Sequence, residues 1–163
     1  MATIFVSYRR QDSPYVAAVL KDRFERQFGE QSVFLDIDNI PIGADFREHI
    51  DLAVQQCDVM LVLIGDVWLR VMPGKERNRL FEPRDFVRAE IEAAFRRAIP
   101  IVPVLVEDAE MPSAEDVPES IQELIYRNSP ELRAGRDFNS HFDSFGRGAR
   151  PDVEAANQNQ RNG

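Results

Sequence analysis

Short runs of apolar residues recur along the chain and predict β-strands. The five predicted strands are residues 3–7, 33–37, 59–64, 101–106 and 131–133. The third run is almost wholly apolar, which is typical of a central parallel strand covered on both faces. Pro103 lacks a backbone N–H, so the fourth strand is predicted to lie near an edge of the sheet.

Between these runs, apolar residues recur every three or four positions, which predicts amphipathic helices that cover the strands. The three clearest stripes are Val16, Leu20, Phe24 and Phe28; Phe46, Ile50, Val54 and Cys57; and Val87, Ile91, Ala94 and Ala98. Ser13, Asp45 and Asp85 precede them as N-cap residues, because a short polar side chain can accept a hydrogen bond from the first helical turn. A short helix is also predicted at residues 118–127, and a last one begins at Asp137.

The regular alternation of strand and helix is the signature of parallel β-α units joined by right-handed crossovers. It predicts a flavodoxin-like α/β fold of three layers, with a doubly wound parallel five-stranded sheet in the order 2-1-3-4-5. Residues 1–146 are predicted to form one domain, and the polar residues 147–163 a disordered tail or a truncated linker. Ligands of such folds bind outside the carboxyl ends of the strands, so the loops at residues 7–13, 36–45 and 65–90 are expected to carry function.

Charge and cysteine content narrow the class of partner and the compartment. The 163 residues carry a formal net charge of -8, which makes a nucleic-acid ligand or an anionic membrane surface unfavourable. A single cysteine, Cys57, precludes an intrachain disulfide and fits a reducing compartment. No signal peptide is visible, and no apolar run approaches the roughly 20 residues of a membrane span. The chain is accordingly predicted to be cytoplasmic, with no membrane segment.

The chain lacks the residues that define two common classes of doubly wound domain. A phosphate-accepting receiver domain needs an acidic pair after strand one, where this chain has Arg9 and Arg10. It also needs a lysine after strand five, and the only lysines are Lys21 and Lys75. A flavin- or dinucleotide-binding Rossmann domain needs a glycine-rich turn after strand one, but the first glycine of the chain is Gly29.

Four segments carry a recognisable pattern in order along the chain: residues 4–12 (IFVSYRRQD), 34–43 (FLDIDNIPIG), 62–69 (VLIGDVWL) and 85–91 (DFVRAEI). They resemble the motifs of bacterial Toll/interleukin receptor (TIR) domains of the NAD-cleaving type. The resemblance covers residues 3 to about 145, and each segment falls in the expected strand or helix context. One position departs from the pattern, because enzymatic members often carry tryptophan four residues before the glutamate and this chain has Phe86.

The resemblance implies an enzyme of the NAD+ glycohydrolase or ADP-ribosyl cyclase type. Such a domain cleaves NAD between nicotinamide and ribose when copies self-assemble, and it releases a hydrolysed or cyclised ADP-ribose product. The resemblance also implies signal transduction in antiphage defence, a fused or separate sensor domain as partner, and NAD as substrate, with no cofactor. The alternative is a non-enzymatic domain that binds other TIR domains as an adaptor, or that mimics a host adaptor.

Glu90 is the catalytic residue that the resemblance implies, and its chemistry fits the reaction. The ribose develops oxocarbenium character as nicotinamide leaves, and a carboxylate beside that carbon stabilises the charge. At 100° per residue, Glu90 lies about 60° from Val87, on the shoulder of its helix's apolar stripe. Spacing alone favours a solvated helix-face glutamate, and the resemblance reverses that preference.

Six residues are predicted to contact the substrate: Tyr8, Arg9, Arg10, Asp36, Trp68 and Phe86. Arginines after strand one suit a pyrophosphate, and an aspartate after strand two suits ribose hydroxyls. Aromatic rings suit the nicotinamide or a base. Each prediction has a structural alternative: the arginines can form solvated ion pairs, the aspartate can serve a turn, and the tryptophan can fill the core.

A separate loop is implied for assembly with other TIR domains, at Asp38, Ile40, Pro41 and Gly43. Exposed apolar side chains at Ile40 and Ile42 would fit a groove on a partner. No cluster of metal-ligating residues is visible in the sequence, so no metal site is predicted.

Overall fold

The strands of the structure are β1 (Ile4–Ser7), β2 (Val33–Leu35), β3 (Val59–Ile64), β4 (Ile101–Val106) and β5 (Glu131–Leu132). They form one parallel sheet in the order β2-β1-β3-β4-β5, which confirms the predicted topology. The computed structural model describes residues 2–35 and 40–132. The helix predicted from Asp137, the domain boundary at residue 146 and the tail at residues 147–163 lie outside the described residues.

Three α-helices cover the sheet: α1 (Pro14–Phe28), α2 (Phe46–Gln55) and α3 (Phe86–Arg96). α1 packs on the face that carries Ile4 and Val6, whereas α2 and α3 pack on the opposite face, which carries Phe5. This arrangement gives the three predicted layers. Short 3₁₀ helices lie at Arg79–Phe81, Ala114–Asp116 and Glu119–Tyr126. The last of these stands where an ordinary short helix was predicted at residues 118–127.

β3 lies at the centre of the sheet, and all six of its residues are buried. Its side chains alternate between the two faces: Leu61 and Leu63 join the core beneath α1, and Met60 and Val62 join the core beneath α2 and α3. A strand covered on both faces must be apolar at every position, which explains the unbroken run in the sequence.

Pro103 is accommodated because β5 is short. The N–H groups of Leu105 and Glu107 donate to the carbonyls of Pro130 and Leu132, so odd-numbered residues of β4 direct their N–H toward β5. Pro103 has the same parity and lies ahead of the first β4–β5 pair. Its missing N–H therefore removes no ladder hydrogen bond, as the prediction of a near-edge strand required.

The helix starts agree with prediction at two of three positions. The carboxylates of Asp45 and Asp85 cap α2 and α3 by accepting from the N–H groups of Arg47 and Arg88, both at 3.0 Å. Ser13 precedes α1, but its hydroxyl is buried and makes no hydrogen bond within residues 2–35 and 40–132. The predicted side-chain cap of α1 is therefore wrong, and this helix start depends on packing.

The apolar stripe of α3 ends earlier than predicted. The helix stops at Arg96, and Ala98 is exposed with φ 54°, in the left-handed region. The chain turns there toward β4, and Ile99 packs against the core instead. The helix therefore ends two residues before Ala98, which the pattern assigned to the core.

Candidate functional site

A cleft of about 360 Å³ opens at the carboxyl end of β1. The loop after β1 contributes one wall, and α3 with the segment before it contributes the other. The lining side chains are Tyr8, Arg9, Arg10, Gln11, Arg79, Arg84, Asp85, Phe86, Val87 and Glu90. The volume lies at the low end of the roughly 300–1,000 Å³ typical of small-molecule sites. The position is the one that doubly wound folds use for ligands.

Glu90 is a buried carboxylate on this cleft, with 6% of its surface exposed. It lies on the second turn of α3 and faces the end of β1, where the hydroxyl of Ser7 donates to its Oε1 at 3.4 Å. Glutamates are almost never fully buried unless they are paired, and the hydroxyl of Ser7 is one partner of this carboxylate. A fixed carboxylate at the edge of a cleft can stabilise positive charge that develops on a bound molecule.

Arg9 lines the cleft, but its guanidinium is engaged by the protein. Its two terminal nitrogens donate to the carboxylate of Asp85 at 2.9 and 3.0 Å, and its Nε donates to the carbonyl of Trp68 at 3.3 Å. Both side chains of the ion pair are at least 95% buried. The sequence suggested that Arg9 contacts a pyrophosphate. In the structure, its N–H groups instead link the loop after β1 to the loop after β3 and to the start of α3.

Asp12 forms a second link between the loops after β1 and β3. Its carboxylate accepts from the backbone N–H groups of Gly65 at 2.8 Å and Val67 at 3.0 Å. A Cβ at residue 65 would lie 2.3 Å from Asp12 Oδ1, so only glycine permits this approach. Nothing in the sequence singles out Asp12 for this role, since a polar residue in a loop gives no sign of a partner more than 50 positions away.

Trp68 and Phe86, two of the three predicted aromatic contacts, lie in different environments. Trp68 is 1% exposed and packs in the core beneath α2 and α3, so the structure places it under the site and not on the cleft wall. Phe86 lines the cleft with 44% of its surface exposed, and its ring stacks on Phe46 with centroids 5.2 Å apart. Phe86 is thus the accessible aromatic ring, and Trp68 has the core position that was its alternative.

Tyr8 and Arg10 both reach the cleft, as the predicted site requires. Tyr8 is half-buried and packs against the core beneath α1, whereas Arg10 is exposed. Arg79 and Arg84 also line the cleft, and sequence reasoning missed them. They lie in a loop with several other arginines, and nothing in their spacing distinguishes them.

The predicted assembly loop is described only from Ile40 onward, and Asp36 and Asp38 lie outside the described residues. Pro41 and Gly43 are exposed, and Gly43 has φ 84°, which favours glycine. Ile42 is fully exposed, whereas Ile40 is half-buried.

Three further features were sought in residues 2–35 and 40–132: a metal-binding cluster, a membrane-spanning helix and a reactive cysteine. No group of three or more potential metal ligands occurs among them, and none of their helices combines the length and apolar character of a membrane span. Burial raises the pKa of the Cys57 thiol to about 12, with a further contribution from the charge of Asp58. The thiolate is the reactive form, so Cys57 is a poor nucleophile.

Comparisons with known proteins agree with this architecture. A family model described as TIR domain matches residues 4–141. The NAD(+) hydrolase sarm1 of Drosophila melanogaster is 28% identical over 126 residues, which are 77% of this chain and only 9% of that protein. The TIR domains of the activated Roq1 resistosome, which directly recognizes the pathogen effector XopQ, share the fold with a TM-score of 0.56 at 10% identity, over 81% of this chain and 88% of that one. The four sequence segments and the family match together show that the chain belongs to the TIR domain family.

Proposed function

We propose that this TIR domain cleaves NAD at the bond between nicotinamide and ribose, with Glu90 as the catalytic carboxylate. The observation that carries the proposal is the placement of Glu90, which is buried yet lines an open cleft at the carboxyl end of β1. A carboxylate held at this position can act on positive charge that develops on a molecule bound in the cleft.

The carboxylate fits the charge that this reaction creates. When the glycosidic C–N bond breaks, both electrons leave with the nicotinamide nitrogen, which becomes neutral, and the ribose carbon becomes cationic. Glu90 stabilises that cation electrostatically. A water oxygen then bonds to the carbon and loses a proton, which gives ADP-ribose. Attack by a nitrogen of the adenine ring gives the cyclic product in the same way.

Two further features support the proposal. The exposed ring of Phe86 lies one turn before Glu90 and offers a surface on which a nicotinamide ring can stack. The similarity to a protein named NAD(+) hydrolase extends over 77% of this chain. The chain spans less than a tenth of that relative, so the activity proposed here concerns the TIR domain alone.

The first prediction compares Glu90→Gln with Glu92→Gln. Glu92 lies on the same helix, pairs with Arg88 at 3.4 Å and does not line the cleft, so its substitution controls for loss of one carboxylate from α3. Nicotinamide release from NAD is followed over a series of protein concentrations, since assembly is the implied trigger. Glu90→Gln is expected to lower the rate by about 100-fold or more, the loss typical when a preorganised charge-stabilising group is removed. Glu92→Gln should retain the wild-type rate.

Equal rates in wild type and Glu90→Gln at every concentration would contradict the proposal, whatever the absolute rate. The isosteric glutamine keeps the volume at residue 90, so a loss of activity would reflect the charge and not a cavity. Circular dichroism of both variants checks that each is folded.

Ile42 favours a second candidate function, a domain that only binds other TIR domains. Its side chain is fully exposed beside Pro41 and Gly43, and an exposed isoleucine suits an intermolecular contact. A pure interaction domain would release nicotinamide no faster than Glu90→Gln, so the same experiment separates the two functions. Self-assembly and a role in antiphage defence stay predictions from the family resemblance, and a cytoplasmic location stays a prediction from the composition of the sequence.

A further inference from the structure

We infer that Arg79 and Arg84 form an anion-binding rim that takes the diphosphate of the dinucleotide substrate. The identity of that substrate rests on the proposed function, whereas the rim itself rests on the charges, exposure and anchoring of these two residues. The inference moves diphosphate recognition from Arg9, where the sequence suggested it, to the opposite wall of the cleft.

The charged side chains that line the cleft differ in whether the protein itself pairs or buries them. Arg9 and Asp85 neutralise each other in a buried bidentate pair. Glu90 is buried beside Ser7 at the carboxyl end of β1. The charged lining residues also include Arg79 and Arg84, so the wall formed by α3 and the segment before it brings positive charge to the cleft although the whole chain carries -8.

Arg79 and Arg84 keep hydrogen-bond donors for a ligand. Arg84 is exposed and makes no hydrogen bond or ion pair with another side chain among residues 2–35 and 40–132. The side chain of Arg79 makes one long contact, 3.5 Å to Oε1 of Gln11. A guanidinium presents five donors in a planar fork that matches phosphate oxygens, so both side chains can accept a diphosphate without breaking a strong pair.

The backbone beneath both arginines is fixed. Arg79 opens a 3₁₀ helix that Asn78 caps by accepting from the N–H of Leu80 at 3.0 Å, and Leu80 is fully buried. Asn78 also donates to the carbonyl of Asp116 at 2.8 Å. Arg84 directly precedes Asp85, which Arg9 holds. Donors on anchored backbone lose less freedom when a ligand binds.

Other arginines of the same loop differ in placement. Arg77 lies over the ring of Phe81 at 4.4 Å, and Arg70 is exposed and does not line the cleft. Arg70 therefore provides a matched control, because its replacement removes the same charge from the same loop.

The test is binding of ADP-ribose, inorganic pyrophosphate and adenosine to the whole chain, measured by calorimetry for wild type, Arg79→Gln, Arg84→Gln and Arg70→Gln. ADP-ribose contains the diphosphate and is not consumed, so binding is read without turnover. Each rim variant is expected to weaken ADP-ribose and pyrophosphate binding about tenfold, as loss of a charge-assisted hydrogen bond does. Arg70→Gln should bind like wild type, and adenosine should not distinguish the four proteins.

Nicotinamide release is measured in parallel to separate the two proposals. If wild type releases no nicotinamide but ADP-ribose binding still depends on Arg79 and Arg84, the proposed function fails and the rim stands. If release is normal and the rim variants bind like Arg70→Gln, the rim is wrong and the proposed function stands. Absence of ADP-ribose and pyrophosphate binding by wild type also overturns the rim.

Discussion

At the scale of single residues, Gly65 and Asp12 lie so close together that a side chain at residue 65 would collide with the carboxylate that links the loops after β1 and β3. The carboxylate of Asp12 lies where a Cβ of residue 65 would be, and it uses both oxygens on the backbone N–H groups of Gly65 and Val67. The loop after β1 supplies one wall of the cleft, and this contact fixes it against the end of β3. Asp12 thereby helps to position one wall of the cleft, although its own side chain does not line the cleft.

Gly65→Ala is expected to lower the free energy of unfolding by about 1–3 kcal/mol, the usual cost of forcing extra volume into a filled space. Asp12→Ala should also destabilise the protein, because it leaves two backbone donors without their acceptor. The double variant should lose less than the sum of the two, since the clash disappears with the carboxylate. Urea denaturation followed by circular dichroism measures all three, and strict additivity would contradict a clash between the added methyl group and the Asp12 carboxylate.

At the scale of elements, α3 is held at both ends. Its start is fixed by the buried pair between Arg9 and Asp85, which also caps the helix. Its end is fixed to α2, where the carboxylate of Asp51 pairs with Arg96 and Arg97. Glu90 lies between these two anchors, so the helix presents its carboxylate in a defined position.

Arg9→Met is expected to destabilise the protein by about 3–5 kcal/mol, because it leaves the buried charge of Asp85 without its cation. Arg9→Lys keeps a positive charge but loses the bidentate geometry and the bond to Trp68, so its loss should be smaller. Arg10→Met is the control, because Arg10 is the exposed neighbour, and it should change stability by less than about 1 kcal/mol. Equal urea midpoints for Arg9→Met and Arg10→Met would contradict the anchoring role.

The pair at the other end of α3 makes a pH-dependent contribution. Hydrogen bonding and charge from Arg97, supported by Arg96, lower the pKa of Asp51 to about 2. The folded pKa is below the unfolded value of about 4, so the stabilisation is present above pH 4 and is lost as the pH falls from about 4 to 2. Asp51→Asn should therefore be less stable than wild type at neutral pH, by under about 1 kcal/mol for a solvent-accessible pair, and equal to it near pH 2. Urea midpoints measured across this range check the convergence, and a difference that does not change with pH would argue against the ion pair.

At the scale of the whole molecule, the fold followed from the sequence because its signals are local. An unbroken apolar run predicts β3, and a four-residue period with an aspartate before it predicts α2 and α3. The early end of α3 at Arg96 and the missing side-chain cap at Ser13 were not predictable, since both depend on how the chain packs after it turns.

The site was predictable in part. The family resemblance pointed to Glu90 and Phe86, although spacing alone favoured a solvated glutamate, and the position after β1 pointed to Tyr8 and Arg10. All four side chains line the cleft. The engagement of Arg9 was not predictable, because its partner Asp85 is 76 positions away. A sequence shows that arginines are present, and only the fold shows which of them remain available to a ligand.

Trp68 gives the molecule a built-in optical reporter. It is the single tryptophan of the chain, it is 1% exposed, and its carbonyl accepts from Arg9. Indole emission shifts to longer wavelength when the ring meets water, so the fluorescence of the unlabelled protein reports on the junction of three segments beneath the cleft. Any condition that opens this junction, from substitution of Arg9 to a change of assembly state, becomes visible in solution without a dye.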